Sequence, residues 1–286
     1  MIKTDLSALP EFLIGQAENK EAMTGCTAII APNGAVCGVD VRGGSPGTRD
    51  TDALDPRCNR KEVHGIMLTG GSAFGLESSC GLADFLEEKG IGRPVGLTVI
   101  PNVCAAVLFD LRCGDSKVRP DKAMGREAAE NAFKGIPFKS GNYGAGTGAV
   151  IGKPYGFPHA MKGGIGQAVL QQGDLIVGAI FAVNCVADVA VDGKIIAGAR
   201  NKDNTGFADS EKWILEHYAS AGDFFIPRTA SSNTVIGCVM TNAVLHKNEA
   251  GRIAARGQDG IARVIRPSHS IYDGDAVFAL ASGKVT

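Results

Sequence analysis

The sequence predicts a mixed α/β chain in which sheets pack on one another with helices outside. Three observations carry this. Apolar runs flank short turn signals, as in β-hairpins. Segments of helical period are few and stand apart from them. Strands and helices do not alternate regularly, which argues against a doubly wound parallel sheet.

Taken in order, the segment Cys26 to Arg42, CTAIIAPNGAVCGVDVR, holds two apolar runs around Pro32-Asn33-Gly34 and predicts a hairpin. A Gly/Pro-rich loop, GGSPGTRDTDALDP, follows. Val63 to Thr69 reads as a buried strand. Gly70-Gly71-Ser72 then opens a helix, with Ala73, Leu76, Leu82 and Phe85 on one face as far as Gly90. Val95 to Leu111 is an apolar stretch interrupted by Pro101, and Asp121 to Lys134 is a helix. The run Asn142 to Gly152 is dense in glycine. Gln167 to Val191 predicts a second hairpin, turned at Gln172-Gly173-Asp174. Lys202 to Ile226 is more polar, contains the lone Trp213 and reads as a surface excursion before Pro227. The end is compact: strand Thr234 to Thr241, helix Glu249 to Ile265, strand Ala276 to Ala281. No repeat or clean boundary divides residues 1–286, so one domain is expected.

Composition narrows the function. Lys+Arg 29 against Asp+Glu 30 gives a net charge of -1, without the basic surplus of a nucleic-acid binder. Hydrophobic residues at 44% and charged residues at 21% are ordinary for a globular chain, so an acidic disordered protein is excluded as well. No stretch is long and apolar enough to span a membrane, and the N-terminal residues lack the apolar core of a signal peptide. A cytoplasmic protein without membrane or nucleic-acid partners is expected. The eight cysteines are scattered with no CxxC pair, and read as small buried hydrophobes. Gly is the anomaly, at 39 residues clustered between apolar runs, where tight turns and close backbone approaches need it.

Single motifs fail on inspection. Gly43-Gly44-Ser45-Pro46-Gly47 fits the G-x-S-x-G elbow in letters, but Pro46 and Asp50 follow where a helix must start. Ser72 has the strand-to-helix setting but the wrong glycine spacing, and reads as a helix cap or backbone contact. Gly152-Lys153 lacks the preceding glycine and following Ser/Thr of a phosphate loop. His64, His159, His217, His246 and His269 show no ligand spacing and read as surface or core histidines, so no metal or other cofactor is expected. On spacing alone, Asn233-Thr234 before an apolar strand and Asp273-Gly274-Asp275 before the last one are a strand start and a turn.

Eight stretches taken together are more specific. RGGSPGTRDTDAL, LTGGSAFGL, AAVLFDL, GNYGAGTGAVIGK, MKGGIGQA, AVNCVADV, SSNTVIGCVMTNA and DGIARVIRPSHSIYDGDAVFALASG stand in one order from about residue 15 to the end. In that order they resemble the DmpA-type aminopeptidases, the L-aminopeptidase/D-esterase/amidases with their β-peptidyl aminopeptidase and nylon-oligomer hydrolase relatives. The threonine and the acidic pair look closer to the nylon-hydrolase branch.

The resemblance implies an αββα sandwich and a precursor that cuts itself between Asn233 and Thr234, leaving an α part, 1–233, and a β part, 234–286. A threonine hydroxyl is a weak nucleophile until a base takes its proton, and the freed α-amine, with a usual pKa of about 8, sits on the same residue. Asn184 would then donate its amide to the oxyanion, Lys153 would add positive charge, and Asp273 and Asp275 would orient the Thr234 amine and hydroxyl. Lys162 competes with Lys153 for that place. Phe109 stands where the family often has a tyrosine, so one oxyanion donor would be missing. The implied activity is hydrolysis of a small peptide or amide by a homo-oligomer, as tetramers by resemblance. The alternatives are an acyltransferase like the ornithine acetyltransferases, or a non-catalytic descendant.

Overall fold

The computed structural model describes residues 1–217 and 233–286. The strands of its two main layers are β1 (Ile2–Thr4), β2 (Leu13–Asn19), β3 (Thr24–Val41), β4 (Thr48–Arg49), β5 (Val63–Thr69), β6 (Val103–Val107), β7 (Gly164–Gln172), β8 (Leu175–Asn184), β9 (Thr234–Ala243) and β10 (Ala276–Val285). Its helices are α1 (Ser78–Glu88), α2 (Lys122–Phe133), α3 (Ser210–His217) and α4 (Lys247–Val264).

The strands form two layers joined through β3. One layer runs β1-β7-β8-β9-β10 and ends on the second half of β3, where Val36 to Val41 pair with β10. The other runs β2-β3-β5-β6-β4 on the first half, where Cys26 to Ile30 pair with β5. The hairpin expected in 26–42 therefore does not form. A two-residue type I′ turn needs positive φ at both central residues. Gly34 takes one, at φ 74°, and Asn33 does not. The register shifts between Ile30 and Ala35 instead, and the strand passes from one sheet to the other. Each half then finds its own partner, so no backbone donor needs a return strand.

Between the layers lies the main core: Ile29, Ile66, Leu68, Cys104 and Ala106 from one sheet meet Ile180, Ile236, Cys238, Met240, Phe278 and Leu280 from the other. The outer face of the first-named sheet packs on α1 and α2 through Leu82, Phe85, Leu86, Ala128 and Ala132. The opposite outer face packs on α4 through Val235, Val239, Val277, Ala254 and Ile261. The result is the αββα sandwich. Period-two alternation explains the division of labour in β9: Ile236, Cys238 and Met240 face the core, Val235 and Val239 face the helix. Close approach explains much of the glycine. A Cβ on Gly15 would lie 2.0 Å from the Ala128 carbonyl of α2, and one on Gly38 would lie 2.2 Å from the Gly251 nitrogen of α4.

The second hairpin forms about the expected turn, β7 against β8, with Gln172 opposite Leu175 and Gly173 at φ 59°, but it ends at Asn184, and Asp188–Val191 pairs instead with Lys194–Ala197 and Ile265–Arg266. The helices at 121–134 and 249–265 form as α2 and α4, with Asp121 capping α2 through the Met124 N–H at 2.9 Å. The stretch 95–111 keeps only β6 as a strand of the main sheets. Ser72 begins a 3-10 turn that runs into α1; it contacts Leu108 through its backbone N–H at 3.0 Å and is not a side-chain cap. Of the cysteines, five are buried, whereas Cys58 is exposed and Cys80 and Cys113 are partly so; all eight are free thiols. Of the polar 202–227 segment, α3 is described: its Trp213 stacks on His217 and leans on Tyr155. Residues 218–227 lie outside the described residues. Among the described residues no helix is long and apolar enough to cross a membrane.

Candidate active site

Thr234 is the first residue of β9, and alternation turns its side chain to the same face as Ile236. The strand thus carries one hydroxyl at the end of the inter-sheet space. Thr234 is buried, and in the continuous chain its Oγ1 donates to the carbonyl oxygen of Asn233. The Gly274 N–H donates to the same Oγ1 at 3.2 Å. The nucleophile candidate therefore lies against the peptide bond expected to break.

The strand register supplies the next residue. Asn184, the last residue of β8, lies directly opposite Thr234. Its side-chain oxygen accepts from the Val150 N–H at 2.9 Å and from Lys153 Nζ at 3.1 Å. Two donors on the oxygen fix which end of the amide is nitrogen. That nitrogen, Nδ2, donates to the Phe109 carbonyl at 2.9 Å. The 109 segment therefore does reach the site, through its backbone, and its phenyl ring has no hydroxyl to offer.

Lys153 is 1% exposed and also donates to the Asn184 carbonyl at 2.8 Å. Burial pushes its ammonium down to about 7, against the opposing pull of Cys185 and Asp273. Lys162 instead donates to the Thr147 carbonyl at 2.8 Å, with Cys113 Sγ at 3.5 Å. Of the two lysines, Lys153 is the one joined to Asn184.

The acidic pair closes the site from the turn before β10. Asn233 bridges to Asp273 in parallel fashion. Asp273 is buried; one oxygen accepts from the Ser270 N–H at 2.9 Å and from the Ser270 hydroxyl. The other, Oδ1, meets no hydrogen-bond partner among the described residues. Burial, helped by the charge of Asp275, lifts the Asp273 carboxyl to about 6. Asp275 Oδ1 accepts the N–H of the residue after Thr234, Val235, at 2.7 Å. In the continuous chain the Thr234 nitrogen is still a peptide nitrogen, and the expected hold of both acids on the Thr234 amine and hydroxyl concerns the cleaved form. The RGGSPG loop seats the turn that carries both acids. Ser45 N–H donates to the Asp273 carbonyl at 2.8 Å, and a Cβ on Gly43 would lie 2.3 Å from that same carbonyl oxygen. Ser45 Oγ donates to the Ile271 carbonyl at 2.9 Å, in keeping with a loop residue.

One neighbour escaped the reading by motif. His269 Nδ1 stands 2.7 Å from Asp275 Oδ2, and that contact raises the imidazole above its ordinary value. Its spacing from the DGD turn matches no known ligand or triad pattern, so only folding reveals it.

A buried hydroxyl against a carbonyl, a carboxamide opposite it, a buried lysine and two acids fit the class of amide-cleaving hydrolases. The comparisons agree with the class. The family model for peptidase family S58 matches residues 6–286, and the chain belongs to that family of aminopeptidases and amidases. It is 36% identical over 281 residues to an uncharacterised aminopeptidase of Mycobacterium leprae, covering 91% of this chain and 71% of the relative. It is 32% identical over 279 residues to the 6-aminohexanoate-oligomer endohydrolase of Paenarthrobacter ureafaciens, covering 96% and 74%. In fold it is similar to the L-aminopeptidase D-Ala-esterase/amidase of Ochrobactrum anthropi, described as a variant of the Ntn hydrolase fold, with TM-score 0.68, 19% identity and coverage of 96% and 72%. A β-aminopeptidase of Burkholderia sp. is similar too, with TM-score 0.64, 22% identity and coverage of 96% and 71%.

Proposed function

We propose that the chain is a self-processing N-terminal-threonine hydrolase of peptide or other small amide bonds, acting as an aminopeptidase. The observation that carries this is the contact of Thr234 Oγ1 with the carbonyl of Asn233, beside Asn184 and the buried Lys153. In the first turnover Oγ1 attacks the Asn233 carbonyl carbon, the C–N bond breaks and the acyl group moves to oxygen. The nitrogen takes the proton and becomes the Thr234 α-amine. Water then hydrolyses the ester, leaving a carboxylate on Asn233. The β part stays in place because β9 is paired to β8 and β10 to β3, both strands of the α part.

In later turnovers the α-amine takes the Oγ1 proton as the hydroxyl attacks the substrate carbonyl, and passes it to the leaving amine. Water releases the acyl group. Asn184 Nδ2 is assigned to the developing oxyanion, a role in which one preorganised donor contributes about 3–4 kcal/mol. While Lys153 holds its proton it adds positive charge beside the oxyanion and favours the free-base form of the α-amine. The test is Thr234→Ala. It is expected to remain a single chain of 29.6 kDa by intact mass and to lose hydrolysis of aminoacyl anilides, short peptides and 6-aminohexanoate oligomers. Scission between 233 and 234, or retained hydrolysis, overturns the reading.

A further inference from the structure

The two acids of the site are each held by a residue of one short segment. Ser270 holds Asp273 through its N–H and hydroxyl, as described above. The residue before it, His269, holds Asp275 through ring Nδ1 at 2.7 Å and through its own N–H at 3.3 Å. The remaining oxygen of Asp275 grips the Val235 N–H at 2.7 Å. A line of hydrogen bonds thus runs from the imidazole, through the carboxylate, to the peptide that follows the nucleophile.

Two further facts show that this line is built. His269 sits at φ 55°, a left-handed conformation uncommon for a residue with a side chain. Such a backbone persists where its surroundings over-determine it. Here it turns both the ring and the N–H of one residue onto one carboxylate. Asp275 is 1% exposed, and a carboxylate so deeply buried needs a charged or multiply donating partner to remain an acceptor. His269 supplies both donors. Lys153 acts on Asp273 by its charge, whereas the direct partner of Asp275 is His269.

We propose that His269 is a positioning residue for the Thr234 nucleophile: its ring holds Asp275 aimed at the Val235 amide, and so fixes the Thr234 backbone and, after cleavage, its new amine. This rests on the function proposed above. His269 itself transfers no proton to substrate, and its influence runs wholly through Asp275.

The test compares His269→Ala with His269→Asn, whose side-chain amide places an N–H close to where Nδ1–H stands. On the activity and self-cleavage assays above, His269→Ala is expected to lower kcat by about 10- to 100-fold, the usual cost of losing a group that orients another, with KM within about twofold. His269→Asn is expected to recover to within about fivefold of the parent, since the donor to Asp275 is restored. Both are checked by thermal melting, and if the alanine variant fails to fold the comparison of asparagine with the parent decides. The inference is overturned if His269→Ala keeps kcat within twofold, if its loss lies in KM alone, or if folded His269→Asn falls as far as alanine. An active Thr234→Ala would instead overturn the nucleophile reading, so the two failures are told apart.

Discussion

Lys153 offers the most quantitative test of the site. Its ammonium is buried at 1% exposure, and its pKa falls from an ordinary 10.5 to about 7. At about 1.4 kcal/mol per pH unit, holding the charge inside the fold costs on the order of 5 kcal/mol relative to the unfolded chain. The direction follows from counting protons. Below pH 7 both states hold the proton and the whole cost is present. Between 7 and 10.5 the folded state has released it and the unfolded state has not, so stability climbs with pH. A methionine of similar length has no proton to release. The experiment compares Lys153 with Lys153→Met, both in a Thr234→Ala background so that neither is expected to cut itself, by urea unfolding from pH 6 to 9. The stability difference should be flat up to about pH 7 and then move in favour of lysine by about 1.4 kcal/mol per unit, roughly 3 kcal/mol by pH 9. Methionine also strips donors from the Asn184 carbonyl and side-chain oxygen, at about 1–3 kcal/mol, but that loss does not slope with pH. A difference constant from pH 6 to 9 would refute the claim that Lys153 titrates near neutrality.

Two more consequences are open to measurement. Asp273 is the mirror case: its folded pKa, about 6, lies above the ordinary 3.8, so the ionised form weakens the fold above pH 6 and costs nothing once both states are protonated. Asp273→Asn should abolish hydrolysis yet raise unfolding stability at pH 7 by up to about 3 kcal/mol, a gain that fades by pH 4; equal stability at pH 7 would contradict it. Gly38→Ala forces a methyl into the backbone of α4 at 2.2 Å, a contact no rotamer can relieve, and should lower stability by about 1–3 kcal/mol in thermal or urea unfolding.

Much of the fold was legible because it rests on local pattern. The β7–β8 hairpin follows from alternating apolar residues around a Gly-Asp turn, and α2 from an Asp cap and an alanine-rich stripe. Thr234, Asn184, Lys153, Asp273 and Asp275 were legible only through the ordered blocks of the family. Their spacing, across more than a hundred residues, carries no signal of its own. Where local pattern misled, as at Pro32-Asn33-Gly34, the same letters serve a hairpin turn or a bend, and the availability of separate partners for the two halves of β3 selects the bend.

The chain by itself determined which residues are candidates for chemistry, through the ordered family blocks, and where most strands and helices form, because periodicity is a property of short stretches. Only the tertiary structure decided what those residues can do. Pairing β8 with β9 sets Asn184 opposite Thr234, burial brings Lys153 near neutrality and raises Asp273, and the turn before β10 brings His269 onto Asp275. Desolvation and hydrogen-bond geometry depend on what surrounds a group on every side, and that is settled only when distant segments pack together.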